Sequence, residues 1–254
     1  MLAKVRLNEI KKELLIKKSV TVVDMAKHFN VTEETIRRDL KTLEAEGVAT
    51  RIHGGAALKE KVASSFDRKV LKDIMADGKR GMAKIARDHI ANGLCIYMDA
   101  SSTVQYLIPE IADKRVTIVT NSLDIPSDCA ELPNISVVQL GGTLNHSRRC
   151  FTGTATCREL NQFHFDLSVI SCRTLNKEGF SDADIEESEV KRQAIKHSKR
   201  LMVLADHTKF NHISFVKVAE LDRADILVTD KPLAAEWQRV LWDKKVEYYC
   251  AEDM

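Results

Sequence analysis

No apolar run in this chain is long enough to cross a bilayer, and no secretory leader pattern opens it. No membrane partner is expected, and a cytoplasmic location is. Surplus charge is also scarce: 39 Lys plus Arg against 37 Asp plus Glu leave a formal net charge of +2. Residues 1–60 carry 12 basic against 9 acidic side chains, and the remainder is near neutral. A protein that coats nucleic acid nonspecifically needs a basic field, so any such binding here must come from placed charges. The six cysteines form no C-x-x-C pair, and no Cys/His spacing suits zinc. Cys95 and Cys172 fall in apolar strand-like runs, as buried reduced thiols do. No metal and no cofactor are expected. No nucleophile–base–orienter set is readable, which argues against an enzyme. What remains is a chain of 254 residues, 44% hydrophobic and 30% charged, with room for a small module and one sizeable domain.

The stretch Val20–Ala56 is the most informative. Thr21 precedes an apolar-periodic run and can cap a helix, with Asp24 three residues on as a near-match to a capping box. Val22, Met25, Ala26 and Phe29 recur at helical spacing. Asn30 suits a left-handed exit, Val31 can pack under the turn, and Thr32 caps a second helix whose first turn holds Glu33 and Glu34. On that helix Ile36, Leu40 and Leu43 form the core stripe. Opposite lie Glu34, Thr35, Arg38, Lys41 and Thr42, with Arg37 at the edge. Arg can grip guanine O6 and N7 bidentately, and Glu can accept from cytosine N4. After Gly47, two short extended runs flank a Gly54-Gly55 turn, a wing-like hairpin with Arg51 and His53 placed to touch phosphate or the minor groove. For His53 a plain turn residue is the alternative. An earlier helix over Lys4–Lys18 completes the core with Leu7, Ile10, Leu14 and Leu15. Together these elements describe a winged helix-turn-helix that reads double-stranded DNA.

The organisation expected is residues 1–58 as that module, 59–78 as a polar linker, and 79–254 as a second domain. In the latter, apolar runs alternate with helical patterns. Strands are predicted at Leu94–Met98, Val116–Thr120, Ile135–Leu140, Leu167–Ser171, Leu201–Ala205 and Ile226–Thr229. Helices are predicted at Lys79–Ala91, Ser102–Ala112, Leu123–Glu131, Thr154–Phe163, Glu187–Ser198 and Leu233–Val240. This is an α/β pattern with a mostly parallel sheet, and such sheets bind ligands beyond their strands' carboxyl ends. Three strand exits there are rich in hydroxyls and glycine: Asp99-Ala100-Ser101-Ser102-Thr103, Thr120-Asn121-Ser122 and Gly141-Gly142-Thr143. Each alone reads as a cap or turn; three on one sheet edge read as a site for a small anion, most simply a phosphate. Glu189 and Lys191 open a helix, Lys209 follows a strand, and either lysine can meet an anion. Arg173 is a further anion contact or else a surface loop residue. Glu189 with Lys191 could serve as a catalytic base and partner, and Asp99 is another carboxylate that could act so.

The run TEETIRRDLKTLEAEG…RIHGGA resembles the N-terminal signature of the DeoR family of bacterial transcriptional regulators. The resemblance continues at Asp99–Thr103, Thr120–Ser122, Gly141-Gly142, Glu187–Arg192 and Asp206–Phe210. It implies a C-terminal sensor domain with a fold like sugar-phosphate isomerases and coenzyme A transferases, binding a phosphorylated sugar or related metabolite. It also implies a repressor of a carbohydrate-metabolism operon, acting as a homo-oligomer built from dimers, tetramers among them. The alternative is a sugar-phosphate isomerase or transferase with a DNA-binding appendage. One departure is Ser101, where the family has glycine. If that position needs a positive φ, Ser101 is strained; if not, its hydroxyl narrows or furnishes the pocket.

Overall fold

The computed structural model describes residues 2–59 and 74–253. Most of the expected 59–78 linker lies outside the described residues, and a helix already begins at Ala76. The chain divides into two compact units, Met1–Ile74 and Met75–Met254.

In the first unit, helix α1 (Ala3–Lys17) buries Ile10 and Leu14 and ends where Lys18 turns left-handed at φ 65°. A short strand β1 (Ser19–Thr21) that the sequence pattern did not announce leads into α2 (Val22–Phe29). The Thr21 hydroxyl accepts from the Asp24 amide at 3.1 Å and donates to the Asp24 carboxylate at 2.6 Å. Asn30, at φ 51°, closes α2, and the Thr32 hydroxyl caps α3 (Glu33–Ala45) by accepting from the Thr35 amide. Strands β2 (Ala49–Ile52) and β3 (Gly55–Leu58) form the hairpin, and β3 also pairs with β1, giving the antiparallel order β1-β3-β2. Ile52 pairs with Gly55, so the turn is His53-Gly54, with Gly54 at φ +78°, one residue earlier than the glycine pair suggested. Gly55 is required for a different reason: a Cβ there would lie 2.0 Å from the Val20 carbonyl oxygen of β1.

Ile36, Leu40 and Leu43 are fully buried against Ile10 and Leu14. Inside this small core sits an ion pair. The Arg6 guanidinium of α1 reaches the Asp39 carboxylate of α3 through two hydrogen bonds, 2.5 and 3.2 Å, with both side chains more than nine-tenths buried.

The second unit opens with α4 (Ala76–Asp88) and is built on a seven-stranded parallel sheet. Its strands are β4 (Cys95–Met98), β5 (Val116–Thr120), β6 (Ile135–Gln139), β9 (Phe165–Ser171), β12 (Ser198–Leu204), β14 (Ile226–Thr229) and β15 (Glu247–Cys250). The order is β15-β14-β12-β9-β4-β5-β6. The sheet is buried on both faces, as parallel sheets must be. Val169, Met202 and Val228 pack toward α4 and the short helices α5 (Ser102–Gln105), α6 (Leu107–Glu110) and α7 (Ile125–Cys129). Their neighbours Ile170, Val203 and Leu227 pack toward α8 (Thr154–Leu160), α9 (Ile185–Lys196) and α10 (Ala235–Asp243). The single helix expected over Ser102–Ala112 is two, because Pro109 lacks the N–H that would bond back to Gln105. Two small antiparallel additions flank the carboxyl ends: the hairpin β7 (Thr143–Asn145) with β8 (Cys150–Thr152), and the sheet β10 (Thr174–Asn176), β11 (Gly179–Asp182), β13 (Val216–Glu220).

The chain runs β4, β5, β6 in one direction and then returns to place β9 on the other side of β4. The strand order therefore reverses between β4 and β9, the position at which open α/β sheets form their ligand crevice.

Replacing Asp39 with alanine strands the Arg6 charge in an apolar core, and we expect a loss of about 3–5 kcal/mol in the first unit's stability. The double replacement Arg6→Met, Asp39→Leu should recover most of it. Denaturant unfolding of the three proteins checks this; a cost equal for single and double variants would contradict it.

Candidate functional site

The polar face of α3 is presented as the helical spacing requires. Glu34, Arg37, Arg38, Lys41 and Thr42 are exposed, and Thr35 is half-buried. Their chemistry is not uniform. Arg37 is engaged by Glu33 one turn earlier at 2.7 Å, an exposed pair of small energetic weight. The Thr32 and Thr35 hydroxyls bond each other at 2.9 Å, and the Thr42 hydroxyl donates to the Arg38 carbonyl at 3.2 Å. Among the described residues, Arg38 and Lys41 have no ion pair, so both cations stand open on this face. The wing carries Arg51 and His53, both exposed, and the Arg51 amide donates to Glu44 of α3 at 3.3 Å, tying hairpin to helix.

At the switch point of the second unit, Asp99 follows β4 and is 1% exposed. One carboxylate oxygen accepts from the Ser101 amide at 2.9 Å, and the other accepts from the Ser171 amide at the end of β9 at 3.0 Å. This tie crosses the point where the strand order reverses. The Lys191 ammonium, on the buried side of α9, lies 2.7 Å from the Ser171 carbonyl, 2.6 Å from Asp182 and 3.2 Å from Asp99. Three protons meet three acceptors, so the anion contact expected of Lys191 finds no donor left in this arrangement. Burial works against both charges. Even so, Lys191 and its hydrogen bond hold the Asp182 carboxyl below its ordinary value, and Asp182, Asp99 and Glu187 hold the ammonium well above its own. Burial raises the Glu187 carboxyl, against the pull of Arg148 at 3.4 Å.

Glu189 is not paired with Lys191. It lies on the flank of α9 and bonds Arg192 at 2.6 Å and Gln193 at 2.8 Å, because two residues along a helix place side chains on different faces. Lys209 follows β12 and donates to the Ser171 hydroxyl at 2.7 Å, with Asp206 at 3.8 Å. Ser101 sits at φ −72°, so it is unstrained, and its hydroxyl caps α5 by accepting from the Val104 amide. The Ser102 hydroxyl accepts from the buried Lys79 of α4 at 3.0 Å, while Thr103 is buried within α5.

The second and third exits are turn-makers. Thr120 donates to the Met98 carbonyl at 2.6 Å and accepts from the Ser122 amide; Asn121 accepts from the Tyr97 hydroxyl and donates to the Phe151 carbonyl. The Ser122 hydroxyl accepts from the Asp124 and Ile125 amides at the start of α7. The Gly141 amide bonds Glu159, and Gly142, at φ +139°, admits no side chain: a Cβ would meet the Thr156 hydroxyl at 2.1 Å. Arg173, just past β9, is half-buried beside the crevice. Lys79, Arg148 and Asp182 belong to this neighbourhood but carried no motif. His207, within the Asp206–Phe210 match, also belongs here: its amide and ring both bond Asp230, the ring at 2.7 Å.

A winged helix-turn-helix followed along the chain by an α/β unit with a switch-point crevice defines the class of two-domain transcriptional regulators. Residues 6–62 match the DeoR-like helix-turn-helix domain and residues 74–231 match the DeoR C terminal sensor domain. The chain is 31% identical over 250 residues to an uncharacterized HTH-type transcriptional regulator, YulB, of Bacillus subtilis, covering 97% of this chain and 96% of that one. It is 27% identical over 232 residues to the glycerol-3-phosphate regulon repressor of Escherichia coli, covering 90% and 91%. A ribose 5-phosphate isomerase A from Neisseria gonorrhoeae aligns over 52% of each chain at 16% identity and a TM-score of 0.38, too distant to bear on function. This chain belongs to the DeoR family of helix-turn-helix transcriptional regulators.

The buried cluster makes a pH-dependent statement. Asp182 has a depressed folded pKa, so its contribution is present above the ordinary value of 3.8 and is lost as pH falls through the folded one. In Lys191→Met the buried carboxylate loses its cation, its folded pKa rises, and stability is instead gained as pH falls. We expect a cost of about 3–5 kcal/mol at neutral pH. The variant should melt higher at pH 5 than at pH 8 while the parent stays level; thermal unfolding at the two pH values decides it.

Proposed function

We propose that the chain is a repressor of a carbohydrate-metabolism operon, released from its operator by a phosphorylated sugar or related metabolite. Helix α3 enters the major groove and the wing lies along the backbone. Thr32, Glu34, Thr35, Arg37, Arg38, Lys41 and Thr42 form the groove-facing set, with Arg51 and His53 on the wing. A dimer-based homo-oligomer would set two such helices at half-sites one helical turn, or a multiple, apart. The effector lies at the β4–β9 switch point against Ser101, Ser102 and Lys209. The observation that supports this most is the Asp99–Ser171 tie across the reversal, with a lysine held on a hydroxyl at either side: Lys79 on Ser102 and Lys209 on Ser171. A phosphate can take up both hydroxyls and both ammonium groups. Similarity to a glycerol-3-phosphate regulon repressor favours the same ligand class. A catalytic reading needs a base poised in the crevice, and Glu189 is held on the outer flank of α9 by Arg192 and Gln193.

Binding of the protein to DNA fragments from its own upstream region, with and without a panel of sugar phosphates, tests this directly. Release by one phosphorylated sugar but not by its unphosphorylated parent is the result expected. Turnover of that sugar would instead favour the enzyme. Arg38→Ala should weaken operator binding by about 1–3 kcal/mol, roughly 5- to 150-fold, the worth of one bidentate base contact, and leave the effector's affinity unchanged. Normal operator binding by this variant would mean that the reading face is elsewhere.

A further inference from the structure

One cation beside the crevice has nothing to hold. Among the described residues, the Arg173 guanidinium makes no hydrogen bond and no ion pair, although the residue is half-buried. Its position is fixed: it lies two residues beyond Ser171, and its amide donates to the Ser181 carbonyl of β11 at 3.1 Å. Burial, then the nearby Arg148 guanidinium, push its pKa down to about 10. Asp182 is close enough to favour the charge, but its carboxylate is committed to Lys191 at 2.6 Å. A guanidinium cannot shed its proton to escape desolvation, so a partly buried one without an anion is an uncompensated cost. Its planar fork fits a carboxylate or a phosphate bidentately.

The position of Arg173 relative to the lysines matters. Lys209 follows β12 and Lys79 stands on α4, whose Gly78 packs against Asp230 beyond β14; both lysines are near enough to Asp206 to act on it. Arg148 reaches in from the β7–β8 hairpin, which is bridged to Ser122 beyond β5. The lysine ammoniums rest on Ser102 beyond β4 and on Ser171 at the end of β9, whereas Arg148 acts on Arg173 from the hairpin side, so the two cationic groups come to the switch point from different elements.

We infer that the effector carries an acidic group at each end: a phosphate held by Ser102, Lys79 and Lys209, and a second phosphate or a carboxylate held by Arg173 with Arg148 beside it. This rests on the effector reading above and narrows it to doubly acidic sugars, such as bisphosphates or phosphorylated sugar acids.

Calorimetric titration of the full chain with glucose 6-phosphate, fructose 1,6-bisphosphate, 6-phosphogluconate and inorganic phosphate tests it. At least one of the two-ended probes should bind about 10- to 100-fold more tightly than the monophosphate, the worth of a charge-assisted hydrogen bond. Bisphosphate against phosphorylated acid tells which second group is read. Arg173→Gln should erase that margin and leave the monophosphate's affinity unchanged. A monophosphate that binds as tightly as the two-ended probes, or a margin that survives Arg173→Gln, overturns the inference and leaves the effector reading intact. If none of the phosphorylated sugars binds, both fall. A second measurement does not depend on the ligand. Ligand-free Arg173→Met should melt at or above the parent temperature, because an unpaired charge has been removed. A clear drop would make Arg173 a structural member of the fold and also overturn the inference.

Discussion

The second unit depends on one buried ammonium. Lys191 sits where the sheet reverses its strand order and holds together three segments distant in sequence: Asp99 after β4, the Ser171 carbonyl at the end of β9, and Asp182 at the end of β11. A crevice at a switch point is open by construction, because no crossover covers it. The strand ends there have carbonyls and amides without ladder partners. Asp99 answers the amides of Ser101 and Ser171, and Lys191 answers a carbonyl and the two carboxylates. The strand ends of the crevice are thereby held by the chain's own groups. At the same strand ends Lys79 bonds Ser102 and Lys209 bonds Ser171.

The first unit uses the same device at a smaller scale. A core of about a dozen apolar side chains is at the lower limit of what holds a fold. Arg6 and Asp39 join α1 and α3 across it through a bidentate pair. Such a pair adds little net stability over an apolar replacement, but it discriminates strongly against any packing in which only one partner is buried.

Much of this was legible in the sequence, and the reasons differ by element. Thr21, Asn30 and Thr32 declared the helix boundaries because capping chemistry is local, and the Ile36–Leu40–Leu43 stripe declared the core because helical spacing is local too. The inner strands of the parallel sheet showed as continuous apolar runs, since both of their faces are covered. Strand β15, at the sheet edge, reads Glu-Tyr-Tyr-Cys and has no such run. Strands β10 and β11 are a short hairpin, and β13 exists through pairing with β11, far back along the chain. In the crevice, the hydroxyl-rich turns lie on the sheet edge where the strand order reverses. They did not reveal which groups satisfy one another there. Ser122 goes to a local cap, while Thr120, Asn121 and Lys191 are also taken up by Met98, Tyr97, Phe151, Asp182 and Asp99, which come from elsewhere in the chain. Asp182, Lys79 and Arg148 belong to no motif, and their roles follow only from the fold.

The Arg6–Asp39 pair has a consequence for how operators diverge. Asp39 lies on α3 between the outward Arg38 and the inward Leu40, so the pair fixes the rotation of that helix about its own axis as well as its distance from α1. Turning the helix to present a different stripe would pull a carboxylate away from a buried guanidinium, a far larger penalty than exchanging any exposed side chain. On the proposed reading face, a change of target sequence is therefore channelled into replacement of letters at Glu34, Arg38, Lys41 and their neighbours, while the angle of that face is inherited.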